Sequence, residues 1–110
     1  MDKRRNKRLD AQLHVKISSG RINYWGIVCD VSENGLLVKC TRDFAMDTTV
    51  AIEIFMPDSI NSLLMGVVKR KVEIQEPYRK HGIGIQLTKR DARYERYLKS
   101  ASEKTTSRTS

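Results

Sequence analysis

Arg4 and Arg8, separated by three residues near the amino terminus, and the later set Asp30, Ser32 and Gly35 are the residues whose types and spacing could do chemistry. An arginine fork pairs bidentately with phosphate oxygens or with the acceptor edge of a guanine, and its plane stacks on a base. On an extended chain Arg4 and Arg8 share a face about 13 Å apart, whereas on a helix they would stand only ~6 Å apart. Asp30 is an acceptor and complements a pair of neighbouring N–H donors, and Ser32 can donate or accept at the same edge. Gly35 has no side chain, which lets backbone approach a ligand closely. The chemistry these types favour is the holding of an anionic, hydrogen-bonding molecule.

Elements must position them. Asp30 to Gly35 lies between two apolar runs, Tyr24 to Cys29 and Leu36 to Cys40, and includes an Asn34-Gly35 step. That pattern predicts two strands joined by a tight turn, with Asp30 and Ser32 bonding their own backbone. Leu13, Val15 and Ile17 alternate with polar residues and predict a first strand, followed by a turn at Ser18-Ser19-Gly20. Arg21 to Cys29 is the second strand, with Gly26 marking a bend or bulge, and Leu36 to Cys40 is the third. Val50, Ile52 and Ile54 mark a fourth strand. A fifth runs from about Leu64 to Ile74, with Val68, Val72 and Ile74 on one face and Lys69, Lys71 and Glu73 on the other. Ile83, Ile85 and Leu87 mark the sixth.

Thr88 and Asp91 predict a helix start, with Thr88 as N-cap and Asp91 reaching back. Tyr94, Tyr97 and Leu98 then form an apolar stripe suited to covering a barrel end. From Ser100 the chain is Ser, Thr and charge. The expectation is an all-β, six-stranded antiparallel barrel with a short C-terminal helix and a flexible basic N-terminal arm. Its boundaries are an arm at 1–8, a barrel with its helix at 9–99, and a disordered tail at 100–110.

The charge is uneven. The net +8 comes from the two ends: residues 1–8 hold five basic and one acidic side chain, residues 89–110 seven and three, and the rest balance at nine each. Basic ends on a neutral body favour an anionic ligand or partner held at the ends. No apolar run approaches the ~18 residues of a membrane span, and the charged start is not followed by an apolar signal segment, which predicts a cytoplasmic protein. Cys29 and Cys40 fall too far apart along a hairpin for a disulfide and are expected to be buried thiols. Their spacing with His14 and His81 suggests no metal site, and both histidines are expected at the surface or in loops. Trp25 and Phe44 are expected in the core.

The R-x-x-x-R arm at Arg4 and Arg8, followed by the D-x-S-x-x-G turn at Asp30, Ser32 and Gly35, resembles the PilZ domain, the bacterial receptor module for cyclic di-GMP. Gly26 before the turn and the Gly82-Ile83-Gly84-Ile85-Gln86-Leu87 strand fit that resemblance, with Leu87 where the family's G-x-x-F ending has Phe. The resemblance implies a small β-barrel and a cyclic di-GMP site at Arg4, Arg8, Asp30, Ser32 and Gly35, with Lys3, Arg5 and Asn34 as possible additions. Cyclic di-GMP offers two phosphates to the arginines and guanine N–H donors to Asp30. The implied function is a receptor without catalysis or cofactor, which orders its arm on binding the ligand and signals to a separate, unidentified protein. A small barrel binding RNA or single-stranded DNA is an alternative, but the body is neutral and aromatics make up only 6% of residues. A PilZ-fold interaction protein that has lost its ligand is a further alternative. An enzyme is the least expected reading, because no nucleophile–base or paired-carboxylate set stands out.

Overall fold

A computed structural model of the chain describes residues 9–57, 60–75 and 81–109. Six strands form one closed antiparallel barrel in the order β1-β2-β3-β6-β5-β4, with β4 pairing back onto β1. They are β1 (Leu9–Ser19), β2 (Ile22–Val31), β3 (Gly35–Cys40), β4 (Thr49–Ile54), β5 (Ser62–Glu73) and β6 (His81–Lys89), followed by helix α1 (Ala92–Thr109). The sequence alternation does the sorting. Val15 and Ile17 of β1, Val28 of β2, Val38 of β3, Ile54 of β4, Val68 of β5 and Ile83 of β6 are all fully buried. Each such side chain contributes about 1.5–3 kcal/mol of transfer free energy, so the shared interior is the main stabilising term.

Gly26 is a point of close approach rather than a bulge. It pairs with Val15 on one side and Cys40 on the other, and a Cβ there would stand 2.6 Å from the Lys39 carbonyl oxygen. The register instead slips around Cys29, between Val28 and Asp30. Both cysteines are free thiols, Cys40 buried and Cys29 half-buried. Burial pushes the Cys40 thiol pKa up.

Phe44 enters the core as its isolation in a polar loop suggests, meeting Tyr24 edge to face at 4.8 Å. Trp25 does not. It is 58% exposed on the outer wall of β2 and leans on Phe55 at 5.5 Å between ring centroids. Alternation explains this, since Gly26, Val28 and the interior share one face and Trp25 occupies the other. Val72 is also exposed, because β5 continues beyond its pairing with β4, which ends at Val67, and has only β6 beside it there.

Asp91, not Thr88, caps the helix. Thr88 lies inside β6, while the Asp91 carboxylate accepts the Tyr94 N–H at 2.9 Å. Tyr94 is fully buried, and Tyr97 and Leu98 pack partly against the core, as their spacing predicts. The helix continues to Thr109, past Ser100 where the sequence suggests a disordered tail. No Gly or Pro stands between Ala92 and Thr109 to end it.

Candidate ligand-binding site

The turn between β2 and β3 is closed by a serine side chain. The Ser32 N–H donates to the Gly35 carbonyl at 2.9 Å. The return bond, from the Gly35 N–H, goes to Ser32 Oγ at 3.2 Å. Neither Asn34 nor Gly35 has a positive φ, so the Asn-Gly step does not form the left-handed hairpin turn its composition suggests. Ser32, 8% exposed, is the residue that shapes the turn.

Three anchors hold this turn against the rest of the fold. The Leu87 N–H of β6 donates to the Asn34 carbonyl at 2.8 Å, so the position where Phe is replaced meets the turn through its backbone. Arg90 donates to the Glu33 carbonyl and also pairs with Glu95 at 3.4 Å. The Tyr94 hydroxyl donates to the Ser32 carbonyl at 2.6 Å. Burial holds the Tyr94 phenol far above its ordinary pKa, so it stays a donor at every physiological pH.

Beside the turn is an open cleft of about 280 Å³. Asp30, Ser32, Asn34 and Gly35 line it from the turn, Lys69 and Arg70 from β5, and Gln86 from β6. Strand register explains the grouping. Asp30 pairs with Leu37, Leu37 with Gly84, and Gly84 with Arg70, so the four form one row across β2, β3, β6 and β5. Directly paired residues share a face, and three strand spacings put the ends of this row about 14 Å apart. Gly84, next to Arg70 in this row, leaves the floor bare: a Cβ there would stand 3.1 Å from the Arg70 Cβ.

Asp30, Ser32 and Gly35, with Asn34, are thus gathered at one cleft. Arg4, Arg8, Lys3 and Arg5 lie outside the described residues. Lys69, Arg70 and Gln86 are polar lining residues that the sequence did not single out. For Arg70 the reason is specific. Strict alternation from Val68 sends residue 70 into the core, but a register shift between Val68 and Arg70 turns it outward. The Lys69-Arg70-Lys71 run was a signal, though it reads equally as a solvated strand face. Lys69 is held by Asp47 at 2.9 Å and Lys71 by Asp43 at 3.3 Å. Among the described residues Arg70 has no such carboxylate, which leaves its fork available to an anion.

The fold is thus a closed barrel with lysine and arginine beside a serine-closed turn at one cleft. The sequence matches the PilZ domain family over residues 2–104, and the chain belongs to that family. Two solved structures are similar in fold. One is the Bacillus subtilis inhibitor of motility, MotI/DgrA, at TM-score 0.80 and 17% identity, matching 97% of this chain and 53% of that one. The other is the PilZ domain with c-di-GMP of YcgR from Escherichia coli, at TM-score 0.71 and 12% identity, matching 98% of each. This chain therefore spans about half the length of MotI/DgrA. No curated protein matches the sequence.

Proposed function

We propose that the chain is a cyclic di-GMP receptor that acts through a separate protein partner. The observation that carries this reading is the row from Asp30 to Arg70. It puts Asp30 and Arg70 at opposite ends of one cleft, over a glycine floor. In this reading Asp30 accepts the two N–H donors on a guanine edge and Ser32 and Gly35 present the turn beside it. Arg70 faces the ligand's phosphates or its second base from β5. Arg4 and Arg8 close over the ligand from the N-terminal arm, with Lys3, Arg5 and Asn34 as further polar contacts. The similarity in fold to the PilZ domain of YcgR with c-di-GMP supports the choice of ligand.

The ligand's negative charge bridges a self-repelling arm and a nearly neutral barrel, so binding changes the surface offered to a partner. Calorimetric titration tests this. The expected result is saturable binding of cyclic di-GMP, with far weaker heats for cyclic di-AMP, GTP and a single-stranded oligonucleotide. Equal heats for cyclic di-AMP would remove the role given to Asp30. Preference for the oligonucleotide would favour a nucleic-acid-binding barrel instead.

A further inference from the structure

In an ordinary two-residue hairpin the Ser32 carbonyl would accept the Gly35 N–H. Here Ser32 Oγ takes that N–H at 3.2 Å, which frees the carbonyl for another donor. The donor is Tyr94, from a helix more than sixty positions later in the chain, at 2.6 Å. The bond is dry, with Tyr94 at 0% and Ser32 at 8% exposure. Such a bond is strong, and removing its donor would leave a buried carbonyl unsatisfied.

The described chain has no cis peptide bonds, so a Ser32 carbonyl drawn toward α1 points the Glu33 N–H the opposite way, off the helix. The next carbonyl, that of Glu33, is held by Arg90, which directly precedes the Asp91 cap of the same helix. Two successive peptide units of the turn therefore take their orientation from the segment that begins α1. Asp91 fixes that segment in turn. Its carboxylate accepts the Ser62 hydroxyl and, at 2.8 Å, the Leu63 N–H of β5.

We infer that Tyr94 is a positioning residue, whose hydroxyl on the Ser32 carbonyl sets the backbone of the ligand-binding turn and couples ligand affinity to the docking of α1. The inference rests on the reading of this turn as part of a cyclic di-GMP site. Coupling of this kind is reciprocal: whatever the docked helix adds to ligand affinity, bound ligand adds to helix docking. Helix α1 would then be the element through which occupancy of the turn is felt outside the cleft.

The test compares cyclic di-GMP affinity, by calorimetry well below the unfolding temperature, for the unaltered chain, Tyr94→Phe and Tyr97→Phe. Tyr94→Phe keeps the packed ring and loses the one bond, and is expected to bind about tenfold more weakly. Tyr97→Phe alters a half-buried ring on the same helix and is expected to bind like the unaltered chain. Unchanged affinity in Tyr94→Phe overturns the inference, whatever happens to its melting temperature. If Tyr94→Phe does not fold, amide hydrogen exchange on the unaltered chain decides. Saturating ligand must slow exchange at Tyr94 and the helical amides after it, and unchanged exchange there overturns the coupling. An unaltered chain that binds no cyclic di-GMP overturns the reading of the site and this inference with it, an outcome distinct from a normal binder indifferent to Tyr94→Phe.

Discussion

Strand β2 serves two recesses on the barrel wall, and they are built differently. Its later part, at Asp30 and Val31, lines the cleft of about 280 Å³ beside the serine-closed turn. Its earlier part, from Ile22 to Ile27, lines a wider groove of about 470 Å³ with His14, Thr41 and Arg42. The wider groove has the more conspicuous surface, with Trp25 at 58% and Ile22 at 52% exposure. Its arginine already lies over an aromatic ring, Arg42 at 5.4 Å from the Tyr24 centroid. The smaller cleft has an arginine without a carboxylate partner among the described residues, an aspartate aligned with it across four strands, and a turn tied down by three other parts of the fold. Size and exposed aromatic area favour one recess, and fixed polar geometry favours the other. A small charged ligand is recognised by the second quality, because donors and acceptors must be in place before it arrives.

The largest effects should separate the two recesses at once. Asp30→Ala, Arg4→Ala and Arg8→Ala are each expected to remove about 1.5–3 kcal/mol of cyclic di-GMP binding, the scale of a hydrogen bond to a charged group. Unfolding midpoints should hardly move in the two arginine variants. Calorimetry paired with denaturant unfolding checks both halves. A variant that unfolds much more easily yet binds normally would make its residue structural and break the contrast between the two recesses.

The anchoring of the smaller cleft can be broken from a distance. Asp91→Ala removes the helix cap and leaves the buried Ser62 hydroxyl without its acceptor, for an expected loss of about 2–3 kcal/mol of stability by chemical denaturation. Acid should reproduce part of this. Partial burial alone would raise the Asp91 pKa, but the hydrogen bonds from Ser62, Leu63 and Tyr94, with Arg93 nearby, outweigh it and hold the carboxyl below its usual value. A folded-state pKa below the unfolded value of about 3.9 means the stabilisation is fully present well above pH 4 and is lost as pH falls through the folded pKa. Urea midpoints measured downward from pH 6 should therefore drop more steeply at the acid end for the unaltered chain than for Asp91→Asn.

Arg70→Ala should weaken ligand binding by about 1–2 kcal/mol while leaving stability within about 0.5 kcal/mol, since the side chain is exposed. Normal affinity in this variant would reduce the site to the turn and the arm, and the row from Asp30 to Arg70 would lose its meaning.

Arg70 shows what a sequence can and cannot express. The barrel was legible because period-2 alternation in short segments leaves few other ways to bury Val15, Val28, Val38, Ile54 and Ile83 together. The positions of Asp30, Ser32 and Gly35 on one turn were legible because that turn is local. Arg70 was not, because a register shift reverses inside and outside and leaves no mark in a string of residue types. The Tyr94 hydroxyl bond was hidden for a related reason. Helical spacing identifies the buried stripe of Tyr94, Tyr97 and Leu98, but which carbonyl a hydroxyl meets is decided by how the helix closes the barrel. Trp25 failed differently, because size and hydrophobicity suggest the core and only its place in the alternation puts it outside.

The smallest expected effect is at Trp25, and it is the sharpest test of the contrast between the two recesses. Trp25→Ala should leave cyclic di-GMP affinity within about twofold, because the two recesses have no lining residue in common. It should cost no more than about 1 kcal/mol of stability, because Trp25 is 58% exposed and the aromatic ring it meets, Phe55, is only tilted against it. Trp25 is also the only tryptophan in the chain, so its emission reports on the wider groove alone. Saturation with cyclic di-GMP should leave that emission unshifted while the calorimetric signal saturates. A shift with normal affinity in Trp25→Ala would mean that occupancy of the turn is transmitted along β2, whose Asp30 and Trp25 lie on either side of the slip at Cys29. A shift together with lost affinity would place ligand in the wider groove, and exposed aromatic area would then outweigh fixed polar geometry in this fold.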